Sequence, residues 1–304
     1  MGLKVALATS AVALTCACGG ATTAPSTPTR SVVVNGVSRT YTLHLPSTFQ
    51  RNSGALVIAL HGAGGNGSSF ESQTGFSETA DRYGFAVVYP DGLLNPRAGF
   101  TDWQHYGSDF ADDIGFLRQL IAAASGELQP DGRRIFVTGF SDGGRLAHRA
   151  GVELSDQIAA IAVVGGSLFD SGPAPPIPPV RAAASVLILQ GDADAYCGTT
   201  TDASQDQTFD YWVGAAADSC SQTSTPLPLC DAQGLPTTVL DKSGSSCRSG
   251  VEVRLYRIIG GGHAWFPTLY NVSGQGPFNP NLPGAVGTTT NELVWSFLAA
   301  HPKR

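Results

Sequence analysis

Three stretches of the sequence carry side chains that together fit nucleophilic catalysis. Gly139-Phe140-Ser141-Asp142-Gly143 matches G-x-S-x-G, a sharp turn that can lift a serine hydroxyl clear of a sheet. Gln190-Gly191-Asp192-Ala193-Asp194 sets two carboxylates after an apolar run, and Gly260-Gly261-Gly262-His263 sets a histidine after another. A serine hydroxyl alone is a poor nucleophile at neutral pH. An imidazole that takes its proton, held in the right tautomer by a carboxylate, makes it a good one. Ser141 is then the nucleophile, His263 the base, and Asp192 or Asp194 the orienting acid. The alternative for the first stretch is an ordinary glycine-rich turn, so the partners must decide.

A fourth stretch, His61-Gly62-Ala63-Gly64-Gly65, is slim enough to bring main-chain N–H groups against a substrate. The N–H groups of Ala63 and Asp142 would form an oxyanion hole, where losing one donor costs ~10²–10³ in turnover. A glycine-rich phosphate cradle is the competing reading, and no G-x-x-x-x-G-K-[ST] spacing supports it. Trp103 and Trp265 are the aromatics that could line a substrate pocket, unless they are core residues. Asp113 reads as a helix-terminus residue rather than a catalytic one.

These groups need a scaffold that presents strand ends together. Ala55–Leu60, Phe85–Tyr89, Ile135–Val137, Ala159–Val164 and Ser185–Gln190 are continuous apolar runs, as in strands covered on both faces. Val251–Ile259 is a further strand. Helices are expected over Phe70–Tyr83, from Asp112 onward, after Ser141, around Phe209 and Trp212, and after the capping box Thr289-Thr290-Asn291-Glu292. Ser31–Leu45 reads as a hairpin about Asn35-Gly36, with Val37, Tyr41, Leu43 and Leu45 on one face. Apart from that hairpin, strands and helices alternate, which predicts one α/β domain over 31–304 with a mostly parallel sheet. In such sheets catalytic groups gather beyond the carboxyl ends of the strands, where all four stretches fall. The order serine, aspartate, histidine is that of α/β-hydrolases.

The chain of 304 residues is 42% hydrophobic and 14% charged, with a formal net charge of −6. No basic footprint for nucleic acid is present. Lys4, the apolar run Val5–Thr15 and Cys16-Ala17-Cys18 read as an export signal over 1–18, with Cys18 the candidate for lipidation and Cys16 or simple cleavage the alternatives. Residues 19–30 have the composition of a flexible tether. The remaining Cys197, Cys220, Cys230 and Cys247 favour disulfides in an exported chain, with three pairings open. No C-x-x-C or H-E-x-x-H spacing points to a metal.

Leu60–Gly65, Val87-Val88-Tyr89-Pro90-Asp91-Gly92, Asp112-Asp113-Ile114-Gly115-Phe116, Gly139–Gly144 and Gly260–Trp265 together resemble the secreted polyhydroxybutyrate depolymerase and feruloyl/acetylxylan esterase family of α/β-hydrolases. The family's acid motif, H-G-x-x-D, aligns with Gln190–Asp194 and implies Asp194 as the acid. Gln190 stands where the family usually has histidine, and Ala195-Tyr196-Cys197-Gly198 shortens a V-P-Y region. Ala63 stands where a cysteine is usual, and a main-chain N–H suffices there. The resemblance also implies the pairings Cys220–Cys247 and Cys197–Cys230.

The function expected is that of an extracellular serine esterase, monomeric and without cofactor or metal, acting on short or aromatic acyl esters. Membrane attachment would be through a lipid anchor only. Polyhydroxybutyrate hydrolysis is the alternative, and a peptidase or a catalytically silent binding protein is disfavoured. Activity is expected to rise through a histidine pKa near ~6.5 and to be indifferent to EDTA.

Overall fold

Asn35 and Gly36 both lie at positive φ, 50° and 80°, as a type I′ hairpin turn requires. They join β1 (Thr29–Val34) to β2 (Val37–His44). The computed structural model describes residues 29–104, 110–169, 177–194, 201–214, 219–224, 227–230, 236–259, 261–266 and 289–304. The export signal, most of the tether and Cys18 lie outside these. Tyr41 and Leu43 turn into the core as expected, but Val37 beside the turn and Leu45 past the strand's end are exposed. Their place on that face is taken by Arg39, which is buried.

β3 (Leu56–Leu60) follows, then α1 (Gly67–Thr74) and α2 (Phe76–Tyr83). A single helix over Phe70–Tyr83 is not formed: Gly75 adopts the left-handed conformation and ends one helix as it starts the next. β4 (Ala86–Pro90) leads to a small antiparallel pair, β5 (Leu93–Asn95) and β6 (Phe100–Asp102). α3 (Asp113–Leu128), β7 (Ile135–Phe140), α4 (Asp142–Glu153), β8 (Ala160–Val164), β9 (Ser185–Gly191) and α5 (Thr201–Val213) follow in order, and the expected alternation is broken once, with no helix between β8 and β9 among the described residues.

Beyond α5 the alternation fails. β10 (Ser221–Thr223), β11 (Leu227–Cys230) and β12 (Pro236–Ser245) are antiparallel additions, and β13 (Val253–Ile258) returns to the parallel sheet. α6 (Thr290–Ala300) closes the chain. Its capping box is half formed. Thr289 accepts from the Glu292 N–H, while the Glu292 carboxylate reaches Tyr83 and Arg82 on α2 instead.

The sheet runs β1-β2-β4-β3-β7-β8-β9-β13-β12-β10, with β4 through β13 parallel. Period-two alternation sends Leu56, Ile58 and Leu60 toward α3, α4 and α5, and Val57 and Ala59 toward α1, α2 and α6. Cys220 and Cys247 form a disulfide at the foot of the β10–β12 pair. The second expected pairing falls on Cys197, outside the described residues. No helix among the described residues is long and apolar enough to cross a membrane.

Asp113 is no catalytic group. It is wholly buried at the start of α3, 2.6 Å from the Arg39 guanidinium, and also accepts the Gln104 N–H. Burial pushes its carboxyl up, and Arg39 opposes that.

Candidate active site

Ser141 sits between β7 and α4 at φ 55°, ψ −119°. A serine rarely adopts this conformation, and the surroundings must impose it. They do so by hydrogen bonds on both sides. The Ser141 N–H donates to Val164 O at 3.0 Å, and Arg145 N–H closes the first helical turn onto Ser141 O at 3.0 Å. The side chain is thereby thrown above the sheet, at the N-terminus of α4.

His263 follows β13 and reaches back across the sheet ends. Its Nε2 lies 2.8 Å from Ser141 Oγ, and its Nδ1 lies 2.8 Å from Asp194 Oδ2. With Asp194 ionised, Nδ1 carries the proton and Nε2 is free to accept from the serine. Asp194 is buried at the end of β9, whereas Asp192 is exposed. The two loops are stitched together by Ala193 N–H to Gly261 O (2.9 Å) and Asp192 N–H to Ile258 O (3.1 Å). The Phe140 ring packs 5.0 Å from that of His263.

The loop after β3 is held rigidly beside the serine. Gly64 N–H donates to Thr101 O at 2.7 Å, Thr101 Oγ1 donates to Gly65 O at 2.6 Å, and the Trp103 indole N–H donates to His61 O at 2.8 Å. His61 is buried, donates through Nδ1 to Gly62 O at 2.7 Å and accepts Gly92 N–H at Nε2, 2.9 Å away. Burial holds its pKa below the ordinary histidine range. Gly62–Gly67 also fits G-x-G-x-x-G, but the helix it opens has its first donors engaged. Asp91 Oδ1 takes the Gly67 N–H, and Asn66 Oδ1 takes that of Ser69.

Both tryptophans pack in the interior. Trp103 is wholly buried under the loop it supports, and Trp265 is 6% exposed, its indole N–H on Asn291 Oδ1 and its ring edge-on to Phe70. An apolar ring packs where it excludes most water, and here that is the interior. Two residues given no site role from the sequence enter the site. Gln190 donates to Asp194 Oδ2 at 2.9 Å, and Gln205 on α5 donates to Gln190 Oε1 at 2.8 Å. The motif Gln-Gly-x-x-Asp could have pointed to the first; nothing local marks the second.

Comparison with known proteins bears on what this arrangement belongs to. The family described as Esterase PHB depolymerase matches residues 39–175, which include the loop after β3 and the Ser141 turn. NocK of Nocardia uniformis subsp. tsuyamanensis is 27% identical over 88% of this chain and 80% of its own. Feruloyl esterase B of Piromyces equi is 28% identical over 72% of this chain. Both relatives and the family match fall on the part of the chain that carries the Ser141 turn. The chain spans 41% of the length of the Piromyces feruloyl esterase. An acetyl xylan esterase from Aspergillus awamori shares the fold at a TM-score of 0.54 and 16% identity, covering 78% of this chain and 94% of that one. Esterase 2 of Thermogutta terrifontis shares it at 0.56 and 17% identity, covering 91% and 94%. Like these esterases, the chain has the α/β-hydrolase fold, and the family match and the relatives support a carboxylic ester hydrolase.

Proposed function

We propose that this esterase works outside the cytoplasm through a Ser141–His263–Asp194 triad, on short or aromatic acyl esters such as acetyl or feruloyl groups on polysaccharide. The observation that carries the reading is the unbroken chain from Ser141 Oγ through both ring nitrogens of His263 to Asp194, at 2.8 Å for each link. Ser141 Oγ attacks the ester carbonyl carbon as His263 Nε2 takes the hydroxyl proton. The carbonyl oxygen becomes an oxyanion that the N–H groups of Ala63 and Asp142 stabilise. His263 then gives its proton to the leaving alcohol, and the acyl group stays on Ser141. Water, deprotonated by His263, repeats the attack and frees the acid.

The acyl preference is supported by the names of the relatives, not by Trp103 or Trp265, which are buried. The disulfide fits an oxidising compartment. Lipidation of Cys18 and a monomeric state belong to the same reading. A second reading, polyester hydrolysis, is favoured by the family's description and by the exposed Leu94 (64%) and Phe100 (44%) on the β5–β6 pair bonded to the Ala63 loop.

Turnover of p-nitrophenyl acetate, methyl ferulate, hydroxybutyrate oligomers and a polyhydroxybutyrate film, with and without EDTA, separates the two. Acetate and ferulate turnover with an uncleared film supports the first. Rapid film clearing with neither ester cleaved supports the second, and activity lost to EDTA and restored by a divalent ion removes the serine mechanism.

A further inference from the structure

We infer that Gln190 and Gln205 are positioning residues, an oriented pair of amides that fixes the Asp194 carboxylate against His263 without adding a titrating group. The inference rests on the triad reading and extends it. All three side chains are nearly inaccessible, at 1%, 3% and 4% exposure for Gln190, Gln205 and Asp194.

The direction of each amide follows from its neighbours. An ionised Asp194 accepts only, so Gln190 must turn its NH₂ toward Oδ2, where the bond is 2.9 Å. Gln190 Oε1 then needs a donor, and Gln205 supplies its NH₂ at 2.8 Å, with its other hydrogen on Gly166 O at 3.0 Å. Every dipole in the chain points its positive end at the carboxylate. Aligned hydrogen bonds polarise one another, and donation to the charged form favours that form.

What the chain leaves unpaid also points to this use. Gln205 Oε1 has no partner among the described residues. A buried unpaired acceptor is costly, so an aliphatic residue would serve helix packing better. The amide is kept for its donor end. Its helix is pinned where it must be: Asp206, the next residue, pairs at 2.8 Å with both Arg257 and Lys242, and Arg257 is the β13 residue in register with Gln190.

The charged groups around the pair are Asp192 and Asp194 at the end of β9, His263 from the loop after β13, Arg257 on β13 and Asp206 on α5. His148 of α4 lies beside the Gly166 backbone. Arg257 is engaged by Asp206 and by Asp241.

The test is steady-state kinetics on p-nitrophenyl acetate across pH 5–9, with thermal unfolding of each variant. Gln190→Leu should lower kcat roughly 10–100-fold at unchanged KM, the usual cost of a slightly misplaced group. Gln190→Glu is nearly isosteric and can donate only while its new carboxyl is protonated. Its kcat should therefore fall as pH rises through a range where the wild type does not fall. Gln205→Met should lower kcat in the same sense but less. Wild-type kcat in Gln190→Leu, or a Gln190→Glu profile parallel to wild type, overturns the proposal. Should Gln190→Leu not fold, Gln190→Glu and Gln205→Met decide alone. Failure of the triad itself is distinguishable, because Ser141→Ala would then retain wild-type kcat.

Discussion

Gly143 is pressed so closely against the end of β3 that a methyl group on it would stand 2.3 Å from Leu60 O and 2.4 Å from His61 O. The nucleophile turn and the loop carrying Ala63 are therefore in contact through bare backbone. Gly143→Ala must part them, which moves the proposed oxyanion donors relative to Ser141. The expected result is a fall in kcat of roughly 10²-fold with KM little changed, measured on p-nitrophenyl acetate. Retention of wild-type kcat would show that the contact is incidental.

The positive φ of Ser141 separates chemistry from strain. Ser141→Ala removes the hydroxyl and keeps the strained backbone; Ser141→Gly removes both. Each should lose several powers of ten in kcat/KM. Ser141→Gly should also be the more stable by about 1 kcal/mol, since glycine accepts this conformation without penalty. Urea titration of the two proteins measures the difference, and equal stabilities would mean the turn stores no strain.

Two carboxylates stand at the end of β9, and only one faces His263. Asp194→Asn should lose several powers of ten in kcat, whereas Asp192→Asn, at an exposed position, should stay within a few-fold of wild type. The reverse ranking would transfer the acid's role to Asp192.

The Cys220–Cys247 bridge closes a separation of 27 residues. Loop-closure entropy assigns such a crosslink about 3.5 kcal/mol. Replacing both cysteines by serine should lower unfolding free energy by that order and leave KM unchanged. Stability equal to wild type would show that the β10–β12 ribbon is already restrained in the unfolded chain.

Acid sensitivity should come in part from His148, whose pKa burial lowers to about 3. Its Nδ1 accepts the Trp212 indole N–H at 3.1 Å. The folded protein resists the proton that the unfolded chain takes up near pH ~6.5. Stability is complete above that value and declines as pH falls toward the folded pKa, by about 1.4 kcal/mol per unit for one such group. Buried His61 adds to the loss in the same direction. Glu252, lowered to about 2 chiefly by its bond to His301, contributes only in stronger acid, whereas buried Asp113, pushed up, opposes the histidines as pH falls. His148→Gln should flatten the slope below pH ~6.5 in urea titrations. An unchanged slope would exclude His148.

The parts of this molecule legible in the sequence are those encoded locally. Apolar runs became the buried strands β3, β4, β7, β8 and β9, and the Asn35-Gly36 and Gly139–Gly143 signals became the turns they describe. What escaped depends on partners distant in sequence. β10 and β12 are polar and pair through residues such as Ser221 and Ser245, so no hydrophobic alternation announces them. Gln205 looks like any polar residue on a helix until Gln190 is found opposite it. The tryptophans carry the chemistry of a pocket and of a core alike, and only packing separates the two.

The Arg39–Asp113 pair ties the first hairpin to the rest in a way its position at the sheet's edge conceals. Asp113 also holds Gln104, whose carbonyl and side chain bind Arg149 of α4, the helix that begins beside Ser141. Segment exchange between relatives therefore has a grammar here. A transplanted hairpin lacking an arginine at position 39 would strand a carboxylate in the interior, and the disturbance would run along α4 to the nucleophile. Recombinants that break between residues 45 and 55 should therefore take β2 from a parent with arginine at position 39.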